Sequence, residues 1–118
     1  MTDKDLYGGL IRLHILHHAA EGTIFGLGII EELRHHGYEI SAGTLYPMLH
    51  GLEKKGYLIS RRERTGRRDR RVYEITESGR VALTDAKAKV RELFGELMGL
   101  PGQPDMRDGT ARRGQSGQ

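Results

Sequence analysis

"SAGTLYPMLHGLEKKGYL", residues 41–58, is the stretch whose reading decides the fold. Leu45, Met48, Leu49 and Leu52 recur at spacings of three, one and three, which makes one apolar stripe of a short helix. Ser41 stands where an N-cap belongs, and Gly56 follows Lys54 and Lys55 as a residue able to close the helix in a left-handed conformation. Pro47 lacks the donor that a helix interior uses, at a usual cost of about 3 kcal/mol. With the stripe buried, the opposite face presents Ala42, Gly43, Thr44, Tyr46, Pro47 and His50. Small residues at the start let another surface approach the backbone closely. The free N–H groups and positive dipole end there suit a phosphate.

Downstream the period changes. "GYLISRRERTGRRDRRVYEIT", residues 56–76, has β-branched and aromatic residues at both ends and Thr65-Gly66 near its middle. That pattern predicts a hairpin with strands at about 58–64 and 70–75. Residues 60–71 hold seven arginines against Glu63 and Asp69, a local charge of +5 in a chain whose total is +3. One basic patch on a nearly neutral body points to a polyanion touched at one place, against the plainer reading of a solvated arginine-rich turn. Tyr73 and Ile75 share a strand face and are expected in the core.

Upstream, "DLYGGLIRLHILHHAA" (residues 5–20) places Leu6, Leu10, Leu13, Leu16 and Ala20 at helical spacing. "FGLGIIEELRHHG" (residues 25–37) does so with Leu27, Ile30 and Leu33. After the hairpin, Thr76 is placed to cap a last helix, "ESGRVALTDAKAKVRELFGELM". Its Leu83, Ala86, Val90, Leu93 and Leu97 step by three, four, three and four, the heptad seam of a helix that packs on another helix. A partner chain is preferred over the helix's own domain, because the preceding elements already close a unit. Residues 99–118 carry two of the three prolines and no apolar period, and are expected to be disordered.

These elements predict a mainly α fold with a small β-hairpin: a winged helix-turn-helix over residues 1–75 and a C-terminal dimerisation helix over residues 76–98. In that arrangement the third helix enters the major groove of double-stranded DNA and the wing lies along the backbone. Ser41, chiefly as the cap, with Gly43, Thr44, Tyr46, Pro47 and His50, are the candidate DNA-contacting residues of the helix. Thr44 and Tyr46 are placed to donate to phosphates, and the Pro47 ring offers a flat apolar contact. Arg67, Arg68, Arg70 and Arg71 are the preferred phosphate contacts of the wing. Strand alternation turns some of Arg61, Arg62 and Arg64 away. Leu10, Leu83, Val90, Leu93, Phe94 and Leu97 are the candidate dimerisation residues. A two-fold dimer would place its recognition helices about 34–36 Å apart on an inverted repeat.

The residues also resemble a known family. "GTLYPMLHGLEKKGYL" followed by "RRVYEITESGR" is similar to the signature of the PadR-type transcriptional regulators, densely over about residues 40–80 and more loosely through the first two helices. The resemblance implies a dimeric winged-helix repressor with a small-molecule effector site near the dimer interface. It also implies the compact subfamily, which dimerises through the last helix with help from the first. Two positions depart from the family pattern: Leu27 stands where an aromatic residue is usual, and His17 and His18 replace apolar residues.

Composition bounds the remaining classes. The 118 residues include no cysteine, which removes disulfides, thiolate metal sites and cysteine nucleophiles. There is no Gly-rich phosphate loop after a strand and no carboxylate pair in an evident cleft, so an enzyme is not expected. No cofactor is expected either. Aromatic residues for stacking RNA bases are scarce. No run of ~18 apolar residues is present, so a cytoplasmic protein without membrane contact is expected. Six histidines leave a metal- or histidine-responsive regulator open, with His14 and His18 at i, i+4 able to share one Zn²⁺. The plain reading of the same histidines is a polar helix flank. A non-catalytic interaction module, its last helix recruiting another protein, is the other alternative.

Overall fold

The fold is described from a computed structural model, over residues 2–100. Its elements run α1 (Lys4–Glu21), β1 (Ile24–Phe25), α2 (Gly26–His35), α3 (Ala42–Lys54), β2 (Leu58–Thr65), β3 (Arg68–Ile75) and α4 (Glu77–Met98). The expected tail lies outside the described residues from position 101 onward. The chain divides into two units, Met1–Thr84 and Asp85–Gln118.

Side-chain caps start α1, α3 and α4, and a glycine closes α3. The Asp3 carboxylate accepts from the N–H groups of Asp5 and Leu6 at 3.1 and 3.2 Å and so starts α1. Ser41 does the same for α3, its Oγ accepting from the Thr44 N–H at 3.3 Å. α3 ends at Gly56, whose φ of 86° lets its N–H reach the Glu53 carbonyl while the Tyr57 N–H reaches Leu52. That pair of bonds is a Schellman closure. Thr76 caps α4: its Oγ1 accepts from the Gly79 N–H at 3.0 Å and donates to the Gly56 carbonyl at 2.6 Å. One hydroxyl thus ties the end of α3 to the start of α4.

The core gathers Ile11, Ile15, Leu16 and Ala19 of α1, Ile29 and Leu33 of α2, and Leu45, Met48, Leu49 and Leu52 of α3, with Ile24, Leu58, Tyr73 and Leu83. The α3 stripe is buried as its spacing predicts. Burying four such side chains, at about 1.5–3 kcal/mol each, outweighs the ~3 kcal/mol that Pro47 costs the helix.

The sheet is antiparallel in the order β1-β3-β2. β2 and β3 pair from Leu58↔Ile75 to Thr65↔Arg68 and turn through Gly66 and Arg67. Gly66 alone of the two has positive φ, 62°, the pattern of a type II′ turn. Three helices with this long hairpin make a winged helix-turn-helix. Among the described residues, no helix is long and apolar enough to cross a membrane.

Four expectations are corrected. The core face of α1 is Gly8, Ile11, Ile15 and Ala19, with Leu16 beside them. Leu6 and Leu10 of the expected stripe are exposed. α1 is apolar on two sides, so spacing alone does not say which side turns inward. In α2, Gly26, Ile29 and Leu33 are buried and Leu27 is 69% exposed, because the helix packs through the row one step away from the expected one. The hairpin gains a third strand, β1, whose two residues are too few to show a period. Leu83, expected on the seam facing a partner, is 7% exposed and packs in the core of the first unit.

Two glycines test this packing. A Cβ on Gly79 would collide with the Tyr57 carbonyl oxygen and lie 2.7 Å from Ile75 Cγ1. Backbone cannot step aside, so Gly79→Ala is expected to destabilise by about 1–3 kcal/mol in urea unfolding. Gly51, in α3, has no neighbour within 4 Å of its would-be Cβ. There Gly51→Ala is expected to stabilise by roughly 0.5–1 kcal/mol.

Candidate nucleic-acid interface

The outward face of α3 is built by elimination. Four buried residues fix its rotation, and Ser41, Ala42, Gly43, Pro47 and His50 are left exposed, with Thr44 partly so. The Thr44 hydroxyl accepts from Ser41 Oγ at 3.4 Å, so the two polar side chains at the helix start hold one another. Pro47 has no N–H for the Gly43 carbonyl, which leaves that acceptor without its intrahelical donor on the exposed side.

Tyr46 departs from its expected place on the open face. It is half-buried, packs against the core and lays its hydroxyl over Gly26, at the first turn of α2. A Cβ at Gly26 would collide with that hydroxyl. The chain thus needs glycine at position 26 for a close approach, and Tyr46 bridges α3 to α2.

Pairing sorts the arginines of the wing. Arg61 donates to Glu74 Oε2 through Nε and Nη2 at 3.3 and 3.1 Å. Arg62 holds Asp69 through two bonds of 3.3 Å, and Arg64 Nη2 lies 3.6 Å from the same carboxylate. The guanidinium of Arg70 lies 3.8 Å from the centre of the Phe25 ring and 3.6 Å from Glu63. Arg71 Nη1 donates to Ser60 Oγ at 3.0 Å. Arg67 and Arg68 at the turn are exposed and make no ion pair or side-chain hydrogen bond among the described residues. With Arg71, whose partner is a neutral hydroxyl, they carry the wing charge that no carboxylate among the described residues offsets.

The register also divides the four preferred arginines. Arg71 lies with Arg62, Arg64 and Asp69 on the face that carries Tyr73 into the core, whereas Arg68 and Arg70 lie on the other. Sequence reasoning missed the link between α3 and the wing on the first of these faces. Glu53 Oε2 accepts from Ser60 Oγ at 2.7 Å, and Ser60 in turn accepts from Arg71. Tyr73 is buried beside them with its hydroxyl unpaired, and burial first, then Glu53, pushes its pKa up. A serine third in its strand, seven positions after a helical glutamate, is a signal too slight to read unaided.

The histidines converge. His14 and His18 of α1 meet His36, which follows α2, and no sequence period links that third residue to the other two. Burial, then the neighbouring His36, His18 and His17, lowers the His14 pKa from its ordinary value.

Comparison with known proteins gives a consistent set of likenesses. The model of the transcriptional regulator PadR-like family matches residues 15–85. Transcriptional regulator Rv3488 of Mycobacterium tuberculosis is 48% identical over 96 residues, covering 81% of this chain and 90% of that protein. A PadR family transcriptional regulator from Eggerthella lenta is similar in structure, with a TM-score of 0.71, 28% identity, and 85% and 88% of the two chains covered. Bacillus subtilis PadR in complex with operator DNA has the same fold over 64% of this chain and 45% of that one, with a TM-score of 0.56 and 24% identity.

Proposed function

This chain belongs to the PadR-like family of transcriptional regulators, and on that premise we propose that it binds an inverted-repeat operator as a homodimer, represses from it, and is released by a small-molecule effector. Residues 1–75 form the DNA-binding part and residues 76–98 the dimerisation helix. α3 enters the major groove with Gly43, Thr44, Pro47 and His50 toward the bases and backbone, and Ser41 holds its start. Tyr46 acts at the edge, where its hydroxyl and the first turn of α2 together suit one phosphate. Arg67 and Arg68 neutralise phosphates directly. Arg70 and Arg71 do so after exchanging their partners within the protein.

One observation carries this reading: the start of α3 is exposed and small-featured, and it shares a unit with a hairpin on which, among the described residues, the arginines without a side-chain partner sit at the turn. A fold relative holds operator DNA, which supports the same use of the fold here. Dimerisation is supported by the apolar residues left exposed on α4: Val90, Leu93, Phe94 and Leu97. The effector part rests on the family resemblance. A thermal-shift screen of small aromatic and apolar compounds, followed by operator release, tests that part alone.

The DNA-binding part is tested by competition between an operator duplex and random duplex at physiological salt. A preference of at least ~10³-fold is expected. Equal affinity for both duplexes overturns the reading in favour of non-specific polyanion binding.

A further inference from the structure

We propose that His14, His18 and His36, completed by Glu32, form a binding site for one divalent ion of the zinc type. His14 and His18 lie one turn apart on the same side of α1. The end of α2 brings the third imidazole to them. Gly37, with φ of 90°, closes the helix through bonds from its own N–H to Arg34 and from the Tyr38 N–H to Leu33, and His36 stands just before that closure. The three rings lie nearly parallel, with centres 4.8 Å apart for His14 and His36, 5.7 Å for His18 and His36, and 6.2 Å for His14 and His18. One ring nitrogen from each lies within 4.8 Å of the others. Zn–N bonds of about 2.0–2.1 Å in a tetrahedron put ligand nitrogens about 3.3 Å apart. Binding therefore turns the stacked rings so that their lone pairs converge as the nitrogens draw together.

Carboxylates stand where such a site needs them. Glu32 Oε2 is 3.6 Å from His36 Nε2 and 4.0 Å from His18 Nε2; it lies outside the set of three mutually close imidazole donors and takes the fourth position by a change of rotamer. On the opposite side of the His18 ring, Glu21 Oε1 is 3.6 Å from Nδ1. A carboxylate there favours the proton on Nδ1 and leaves the Nε2 lone pair facing the cluster. His18 Nε2 is itself buried and has no hydrogen-bond partner. A buried polar atom is rarely left so, and a metal bond would satisfy it. Three imidazoles and one carboxylate suit Zn²⁺, Co²⁺ or Ni²⁺ and offer too few oxygens for Mg²⁺ or Ca²⁺. An ion there would clamp α1 to the end of α2, ahead of the segment that leads into α3.

The experiment uses the full chain without an affinity tag, stripped of metal and titrated with Zn²⁺ against a chromophoric chelator. One ion per chain is expected, with a rise in melting temperature that an equal concentration of Mg²⁺ does not give. Co²⁺ should show the intense visible bands of a four-coordinate site. His14→Gln and His36→Gln should each weaken binding at least ~10-fold. His35→Gln, whose ion-pair partner is Glu31, should leave it within about two-fold, and so should His17→Gln, whose ion-pair partner is Glu21 and whose ring meets His18 only edge-on at 5.1 Å. His36 is exposed, so its variant remains a fair test should His14→Gln fail to fold. The proposal is overturned by an absence of stoichiometric binding at micromolar Zn²⁺. It is equally overturned by binding that survives His36→Gln, or by binding lost with His17→Gln, which would place the ion on His17, His18 and Glu21 instead. None of these readings depends on DNA binding.

Discussion

Leu93→Glu combined with Leu97→Glu is expected to yield a monomer and to lower operator affinity by about 10²–10⁴-fold, the loss that follows when two half-sites are no longer held by one molecule. Leu93 is 49% exposed and Leu97 70% exposed, so neither contributes to the core of a single chain. Large apolar side chains left in water at helical spacing have most to gain from a second copy. Two carboxylates per chain, placed face to face across a two-fold axis, would repel one another and lose their hydration together. Light scattering gives the mass, and fluorescence anisotropy the affinity. Circular dichroism should stay native, because the helices of Met1–Thr84 are packed by other residues. A variant that remains dimeric would move the interface to another surface, with the exposed Leu6 and Leu10 of α1 next in line.

Replacing Arg67 and Arg68 by alanine should flatten the salt dependence of operator binding. Each phosphate contact contributes about −0.9 to the slope of log K against log salt concentration, so four fewer contacts in a dimer should reduce its magnitude by roughly 3.6. The contrasting pair is Arg61→Ala with Arg62→Ala. Those side chains are already held by Glu74 and Asp69, so their charge is partly spent within the wing. Exposed ion pairs of this sort contribute little to stability, and the second variant should fold as well as the first. Its slope should change by less. Equal slopes for the two variants would mean that the pairings seen in the free protein do not govern which arginines reach the DNA.

How far the sequence reveals this arrangement depends on whether one pattern dominates. In α3 a single apolar stripe, a serine cap and a closing glycine agree, and Leu45, Met48, Leu49 and Leu52 are all buried. The hairpin is equally plain, because β-branched and aromatic residues flank one central glycine, although the strands run past the expected Thr65-Gly66 turn to pair Thr65 with Arg68. α1 carries apolar residues on two sides, and only the presence of α2 and β3 decides that Ile11 and Ile15 go in while Leu6 and Leu10 stay out. β1 exists because β3 offers it an edge, through Ile24↔Tyr73 and Phe25↔Val72, and two residues hold no local signal of that. Leu83 fits the heptad of its helix, yet it is claimed by the core of the first unit.

The candidate site divides in the same way. Charge density marked the wing, but partner choice is a matter of register: Glu63 and Asp69 neutralise neighbours that only strand pairing identifies. Tyr46 reads as an outward residue by rotation about the helix, and the gap at Gly26 draws it inward. His36 is separated from His14 by a loop and a helix, and no spacing rule joins them.

The central claim is that α3 is read against the edges of bases while the tip of the wing rests on the backbone. Interference footprinting on the DNA upstream of the gene tests it most directly, scoring purine modification in the major groove and phosphate ethylation in one experiment. Two patches of major-groove interference are expected, related by a two-fold and about 34–36 Å apart, with ethylation sites beside each that disappear in the Arg67→Ala, Arg68→Ala variant. Binding that tolerates every major-groove modification, or ethylation sites indifferent to that variant, would contradict the account.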